Sequence, residues 1–151
     1  MLEIKPPGKI QGNGKKLFLG GSIELGKATD WQRKVVCMLK DTDLTILNPR
    51  RENWGKWEQS VENPEFRAQV EWELSSQEIA DRILMYFEPG TLSPVSMAEL
   101  GLFAKTGKLV VVCPDGFWRK GNIDIICRRY GVRQSGSIDD AVELIKKELV
   151  E

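Results

Sequence analysis

Short, uninterrupted apolar runs separated by helix-like segments are the feature of this 151-residue chain that most restricts its fold. A strand with one face in water alternates apolar and polar residues, whereas a strand covered on both faces is apolar throughout. The apolar runs are Leu17–Leu19, Leu44–Leu47, Ile83–Phe87 and Lys108–Cys113, with a brief one around Val132. The pattern therefore predicts buried, parallel strands with helices packed on both faces of the sheet.

Helix signals occupy the intervals between these runs. Thr29 and Gln32 have the spacing of a capping box, and Asn63 followed by Pro64 is typical of a helix start. Further helices are predicted after Ser93, from about 120 to 130, and after Ser137. The sequence thus predicts an α/β fold in one domain, with a doubly wound, five-stranded and mostly parallel sheet of the Rossmann-like or flavodoxin-like kind.

Length and composition limit the classes of protein and partner. The chain has the size of one domain, and we expect residues 1–16, rich in Pro, Gly and Lys, to form an arm ahead of a domain spanning 17–151. Its 22 basic residues balance 22 acidic ones, so charge gives no reason to expect nucleic acid or a membrane as partner. The three cysteines lack a CxxC pair, which favours reduced thiols and a cytoplasmic location.

The chain contains no histidine. This excludes Ser/His/Asp and Cys/His catalytic groups and zinc sites that need an imidazole. Any catalysis therefore depends on carboxylates, Lys, Tyr or Cys, and no metal site is predicted.

Glu99 is the acidic residue of an otherwise apolar helical segment. It lies four residues from Val95 and Phe103 and three from Leu102, so it shares the face that packs inward. A buried carboxylate needs a partner or a function, and burial raises its pKa. Two interpretations are open. In the first, Glu99 is catalytic and Asp81 lies near it. In the second, both are structural: Glu99 forms an ion pair with a neighbouring helix, and Asp81 caps the helix that precedes it.

The loops that follow the strands are predicted to line a ligand site, because ligands of doubly wound sheets bind at the carboxyl ends of the strands. Gly21–Ala28 nearly matches the phosphate loop GxxxxGK[ST], but Ala28 lacks the required hydroxyl. Arg50 and Arg51 follow a strand directly and are either ligands for an anion or a solvated basic pair. Tryptophans in the loops could stack on a planar base.

Six short motifs follow one another along the predicted elements. They are Leu17–Ser22, Leu47–Arg51, Gln69–Trp72, Ala80–Asp81, Ala98–Gly101 and Cys113–Asn122. Together they resemble the nucleoside 2-deoxyribosyltransferase family, and in particular its shorter, divergent branch. The resemblance implies transfer of a 2-deoxyribosyl group between nucleobases through a covalent glycosyl-enzyme, with Glu99 as nucleophile and Asp81 binding the base or handling its proton. It implies no cofactor.

The resemblance and the strand ends together define a predicted substrate-binding set. Its members are Gly20, Gly21, Ser22, Asn48, Arg50, Arg51, Trp72, Pro89, Ser93, Ser96, Asn122 and Asp124. In the family the site is completed across a subunit interface, so Asn122 and Asp124 would reach a neighbour's sugar in a homo-oligomer of two or more chains. The predicted partner is a small-molecule nucleoside or nucleotide.

Two positions depart from the family pattern. Ser93 stands where an Asp usually precedes the nucleophile by six residues, and Phe18 stands where a tyrosine is often found. An alternative activity is therefore open: an N-glycosidase that hydrolyses (deoxy)nucleoside 5'-monophosphates, with Ser93, Ser96 and the two arginines at the phosphate. A second alternative is a nucleotide-binding module without catalysis.

Overall fold

The computed structural model describes residues 1–151 and contains one six-stranded sheet in which all strands are parallel, in the order β1-β3-β2-β4-β5-β6. The strands are β1 (Leu2–Ile4), β2 (Lys16–Gly21), β3 (Thr45–Leu47), β4 (Arg82–Tyr86), β5 (Leu109–Val112) and β6 (Arg133–Ser135). The prediction of a doubly wound parallel α/β domain is confirmed.

Five helices cover the sheet. They are α1 (Trp31–Met38), α2 (Pro64–Ile79), α3 (Pro94–Phe103), α4 (Lys120–Tyr130) and α5 (Ile138–Leu149). Apolar side chains of α2, α3 and α4 pack with Ile83 and Met85 on one face, and those of α1 and α5 pack with Leu84 on the other. None of these helices combines the length and the apolar character that crossing a membrane requires.

The sheet has six strands, one more than predicted, because β1 lies within the segment expected to form an arm. Leu2, Glu3 and Ile4 pair in register with Thr45–Leu47 of β3, and Ile4 is buried in the core. Three residues between polar and proline-rich neighbours carry too little periodicity to be recognised as a strand, and their pairing depends on a distant part of the chain.

The helix starts agree with the sequence signals to within a residue or two. Asn63 caps α2 as predicted, since its side-chain oxygen accepts from the N–H of Phe66 at 2.9 Å. Helix α1 is capped by Asp30 and not by Thr29, whose hydroxyl donates to Glu88 instead.

The direction of winding reverses between β2 and β4, so the loops that follow these two strands meet at the carboxyl edge of the sheet. Gly21, at the end of β2, has a φ of 122°, and a Cβ there would collide with the carbonyl oxygen of Tyr86. Only glycine allows this close approach. The crevice where such folds bind ligands therefore begins at Gly20 and Gly21.

Candidate active site

A row of polar side chains runs along the face of α2 that points toward α3. Gln69, Glu73 and Gln77 are four residues apart and so lie one above another. Gln69 donates from Nε2 to Glu73 Oε1 at 2.7 Å, and Gln77 donates from Nε2 to the carboxylate of Glu99 on α3. Two amides, both buried, therefore hold two carboxyl groups between the helices.

Glu99 lies one and a half turns into α3 and is only 8% exposed. Burial raises its pKa to about 7, the charge of Glu73 adds to this rise, and the hydrogen bond from Gln77 opposes it. The expectation of a buried Glu99 with a raised pKa agrees with the structure. The ion-pair alternative does not, because the partner of Glu99 is a neutral amide.

Glu73 was not singled out by the sequence analysis. Burial raises its pKa to about 7, while the hydrogen bond from Gln69 and the charge of Arg51 act in the opposite direction. The charge of Glu73 helps to raise the pKa of Glu99, so the two side chains, called the glutamate pair below, are electrostatically coupled. The signal that could have found Glu73 is the four-residue spacing of Gln69, Glu73 and Gln77.

Arg51 extends this row at the carboxyl edge of the sheet. Its Nε donates to Gln69 Oε1, and its guanidinium lies over the ring of Trp57, 4.4 Å from the centroid. Gln69 also donates to the carbonyl oxygen of Pro49 at 3.2 Å, so this amide is fixed from three sides. Arg51, Gln69 and Glu73 therefore form one continuous hydrogen-bonded series.

Three hydroxyl groups form a second polar group, called the hydroxyl cluster, where the loops after β2 and β4 meet. Ser22 Oγ lies 2.9 Å from Thr91 Oγ1 and 2.7 Å from Ser93 Oγ, and Thr91 and Ser93 are also 2.9 Å apart. The N–H of Glu88 donates to Ser22 Oγ at 2.9 Å. The cluster is buried, and its hydroxyls satisfy one another.

The amino end of α3 is occupied by a side chain of the protein itself. Glu24 Oε1 accepts from the N–H groups of Leu92 at 3.1 Å and Ser93 at 2.8 Å. Ser93 has a φ of 49°, which turns the loop into the helix. Ser96 follows in the first turn and is buried. The two N–H groups that lead into α3 are thus already bound to a carboxylate.

The side chain of Arg50 points away from that of Arg51 and is hydrogen-bonded within the protein. It donates to the carbonyl oxygens of Gly26, Ala28 and Thr29 at 2.8 to 3.1 Å. Asn48 is also engaged, because its amide donates to Glu3 Oε1 and its oxygen accepts from the N–H of Arg50. Both residues hold the loops around the end of β3 together.

Asp81 lies at the amino end of β4. Its carboxylate accepts from the N–H of Lys16 at 2.8 Å and from Nζ of Lys15 at 3.3 Å. Burial opposes its ionisation, but these hydrogen bonds outweigh burial and hold the pKa of Asp81 below its ordinary value. It contacts neither Glu73 nor Glu99, and because it binds the chain at β2 it does not cap α2. The structure does not bring Asp81 into the row.

Gly20 and Pro89 lie around the strand ends. A Cβ at Gly20 would lie 3.4 Å from side-chain atoms of Phe18 and Met85, which pack over this position on the face of β2 that α2 and α3 cover. Pro89 follows β4 and approaches Gly116.

Three members of the predicted set lie apart from the glutamate pair. Trp72 donates to the carbonyl oxygen of Gly8 at 2.9 Å and helps to hold the amino-terminal segment against α2. Asn122 is exposed on α4, and Asp124, on the same helix, accepts from Lys120 and from Gln134. Within one chain these side chains make no contact with Glu73 or Glu99.

A comparison with family models gives one match, to the model described as nucleoside 2-deoxyribosyltransferase like, over residues 14–117. Curated proteins include no match to the chain. The matched segment runs from β2 past β5 and contains the glutamate pair, the hydroxyl cluster and both arginines. The resemblance inferred from the six motifs is confirmed.

Proposed function

Because the chain belongs to the nucleoside 2-deoxyribosyltransferase-like family, we propose that it transfers the 2-deoxyribosyl group of a 2'-deoxynucleoside from one nucleobase to another. Family membership supports the coarser statement, a role in glycosyl transfer or other processing of small-molecule nucleosides. The observation that carries the finer proposal is the glutamate pair, a buried Glu99 and a half-buried Glu73 whose pKa values are raised to about 7.

In the proposed reaction the carboxylate of Glu99 attacks C1' of the sugar, and the bond from C1' to the base nitrogen breaks. The electron pair of that bond stays on the departing base, which takes a proton from Glu73. An acceptor base then attacks C1' and displaces Glu99, and its proton passes to Glu73. Both carboxyl groups return to their starting state, and no cofactor enters the cycle.

The two roles are assigned on different grounds. Glu99 stands in the family's Glu-Leu-Gly motif, which the resemblance gives as the nucleophile. Glu73 takes the proton-handling role that the sequence suggested for Asp81, because Glu73 lies beside Glu99 whereas Asp81 is bound to Lys16 and Lys15. A carboxyl group with a pKa near the working pH is suited to give and take a proton.

The sugar is proposed to lie beside Glu99, over Gly20, where β2 carries no side chain. Asn122 is exposed on α4 and stays a proposed contact to the sugar of a neighbouring subunit in a homo-oligomer. The cytoplasm remains the proposed location, since all three cysteines are free thiols.

Two contacts favour a nucleoside over a nucleoside 5'-monophosphate. The carboxylate of Glu24 accepts from the N–H groups of Leu92 and Ser93 just ahead of α3, and the guanidinium of Arg50 is bound to backbone carbonyls. A phosphate bound by either of these groups would have to displace its present partner. Hydrolysis of monophosphates is therefore kept only as a competing outcome of the experiment.

The test is base exchange between a 2'-deoxynucleoside and an added free base, followed by chromatography. Glu99→Gln should lower the rate by on the order of 10³-fold or more, because the nucleophile is lost. Mass spectrometry of the intact wild-type protein should detect one added deoxyribosyl group, absent from the variant. Glu71→Gln, an exposed glutamate on α2, is the matched control and should exchange at the wild-type rate.

Other outcomes would contradict the proposal in recognisable ways. Release of base from a 5'-monophosphate without an acceptor would indicate the hydrolase. Binding of nucleosides with no base released after long incubation would indicate a non-catalytic module.

A further inference from the structure

We propose that Arg51 makes this site selective for 6-oxopurine bases, which present the adjacent acceptors O6 and N7 along one edge. The inference rests on the proposed function and names the class of base that the site takes. It depends on the free end of one guanidinium and on the position of that group relative to the glutamate pair.

Arg51 is held in place by contacts that leave its terminal nitrogens available. Nε donates to Gln69, and the plane of the guanidinium lies over Trp57. Nη1 and Nη2 donate to no group of the chain, in contrast to those of Arg50, which bind three carbonyl oxygens. A fixed guanidinium with two free N–H groups matches a planar ligand that offers acceptors on one edge.

The order of the row gives the direction in which a base would lie. Gln77 binds Glu99 at one end, Glu73 follows, and Gln69 connects Glu73 to Arg51 at the other end. Successive members of the row on α2 are four residues, or about 6 Å along the helix axis, apart. A purine joined to C1' beside Glu99 can therefore present N7 to Glu73 and O6 to Arg51.

The same arrangement disfavours a 6-aminopurine. Adenine carries an amino donor in place of O6. This amino group would face the N–H groups of Arg51, and neither the base nor the arginine would then have an acceptor. A donor that faces another donor forms no hydrogen bond, and sites built for a hydrogen bond reject analogues that lack it. A pyrimidine has no N7 to meet Glu73.

Arg51 is also accessible from solvent. It is among the residues that line a surface cavity of about 640 Å³, together with Asn48, Arg50 and Trp54. The Cζ atom of Arg51 lies 4.4 Å from the centroid of the Trp57 ring, which covers the guanidinium on one side. A base can thus approach Arg51 from solvent.

The experiment compares exchange from 2'-deoxyinosine and from 2'-deoxyadenosine with the same acceptor base, in wild type, Arg51→Gln and Arg51→Lys. Wild type should favour deoxyinosine in kcat/KM by about 10-fold to about 100-fold, the usual selectivity of a good arginine contact to a base edge. Arg51→Gln should lose that factor on deoxyinosine and change by less than about two-fold on deoxyadenosine, and Arg51→Lys should fall between.

Arg67→Gln is the matched control, because Arg67 is an exposed arginine on α2 that donates only to the carbonyl oxygen of Val61. Its base preference should equal that of wild type. Equal use of the two nucleosides by wild type, a preference that survives in Arg51→Gln, or an equal loss on both nucleosides would overturn the inference. Thermal unfolding of each variant separates loss of the folded protein from loss of selectivity.

Calorimetric binding keeps this inference separable from the proposed function. Glu99→Gln cannot form the glycosyl-enzyme, yet it should bind deoxyinosine more tightly than deoxyadenosine, and adding Arg51→Gln should remove the difference. If no nucleoside is turned over but this pattern is found, the proposed function fails and the base selectivity stands. If exchange occurs with no preference and no difference in binding, only the selectivity fails.

Discussion

The glutamate pair and the hydroxyl cluster are both polar groups largely withdrawn from solvent, but they differ in how far hydrogen bonds within the protein satisfy them. Ser22, Thr91 and Ser93 bond to one another at 2.7 to 2.9 Å. Glu73 and Glu99 have raised pKa values, because burial and mutual repulsion act on groups that only two amides support. Polar burial alone therefore does not identify a reactive site, whereas a buried group that can still exchange a proton does.

The two adjacent arginines repeat the contrast. Arg50 is fully bound to the loop at residues 26–29, while Arg51 keeps its terminal nitrogens free. Polar side chains whose hydrogen bonds are all made within the protein should contribute to stability. Polar side chains with unused donors or an exchangeable proton should contribute to activity. Each of the variants below tests one side of this division.

The largest effect is expected for Glu73→Gln, which removes the proposed proton donor. The rate of base exchange should fall by about 10²-fold or more, the usual contribution of general acid catalysis. A nucleoside with an N7-methylated purine has a base that can leave without taking a proton, so its cleavage should be much less affected. Chromatographic rates for both substrates test this. An equal loss on the two substrates would mean that Glu73 does not supply the proton.

Arg50→Met should lower the free energy of unfolding by about 2 kcal/mol, because several carbonyl oxygens around Gly26 and Ala28 lose their donor. Arg51→Met removes one hydrogen bond and one stacking contact and should cost about 1 kcal/mol. Urea unfolding of the two variants gives the comparison. If Arg51→Met were the less stable protein, the division between the arginines would be wrong.

Stability should also fall as pH rises, because of the glutamate pair. The folded protein keeps protons on Glu73 and Glu99 that the unfolded chain releases between pH 4.5 and about 7, so the unfolding free energy decreases across this window. The double variant Glu73→Gln/Glu99→Gln should lack this decrease and be about 2 kcal/mol more stable than wild type in mildly alkaline buffer. Denaturant unfolding at several pH values measures both. Parallel curves for the two proteins would contradict the raised pKa values.

The smallest effect is expected for Thr91→Val, which removes one hydroxyl of the cluster and keeps the shape of the side chain. Ser22 and Ser93 remain bonded to each other, so the cost in unfolding free energy should be about 1 kcal/mol. Base exchange should stay within about three-fold of wild type, since the variant alters no open group. A loss of activity comparable to that of Glu73→Gln would show that the cluster takes part in the reaction.

The sequence predicts the layers of the fold well, because each buried strand is a local apolar run. It misses β1, whose three residues become a strand only through contact with Thr45–Leu47. Glu99 can be recognised because it is the acid of an apolar helix. Glu73 cannot be distinguished in the same way from Glu71, since both lie on a helix rich in charge. Only the packing of α2 against α3 leaves Glu71 exposed and Glu73 half-buried.

The position of a residue in the sequence also does not predict at which edge of the sheet it lies or where its side chain points. Asp81 is close to Glu99 in the order of motifs, but it precedes β4 and so lies at the amino edge of the sheet. Arg50 and Arg51 are neighbours in sequence, and the paths of their side chains diverge. These outcomes depend on backbone geometry that residue types do not specify.

The pairing of β1 with β3 has a consequence for how the protein should be handled. In its absence Thr45–Leu47 would become the outermost strand, and its backbone N–H and C=O groups would be free to join the sheet of another molecule. Three residues at the start of the chain thus guard against aggregation as well as adding to the core. A shortened protein that begins at Lys16 should self-associate in dilute solution, which light scattering would detect.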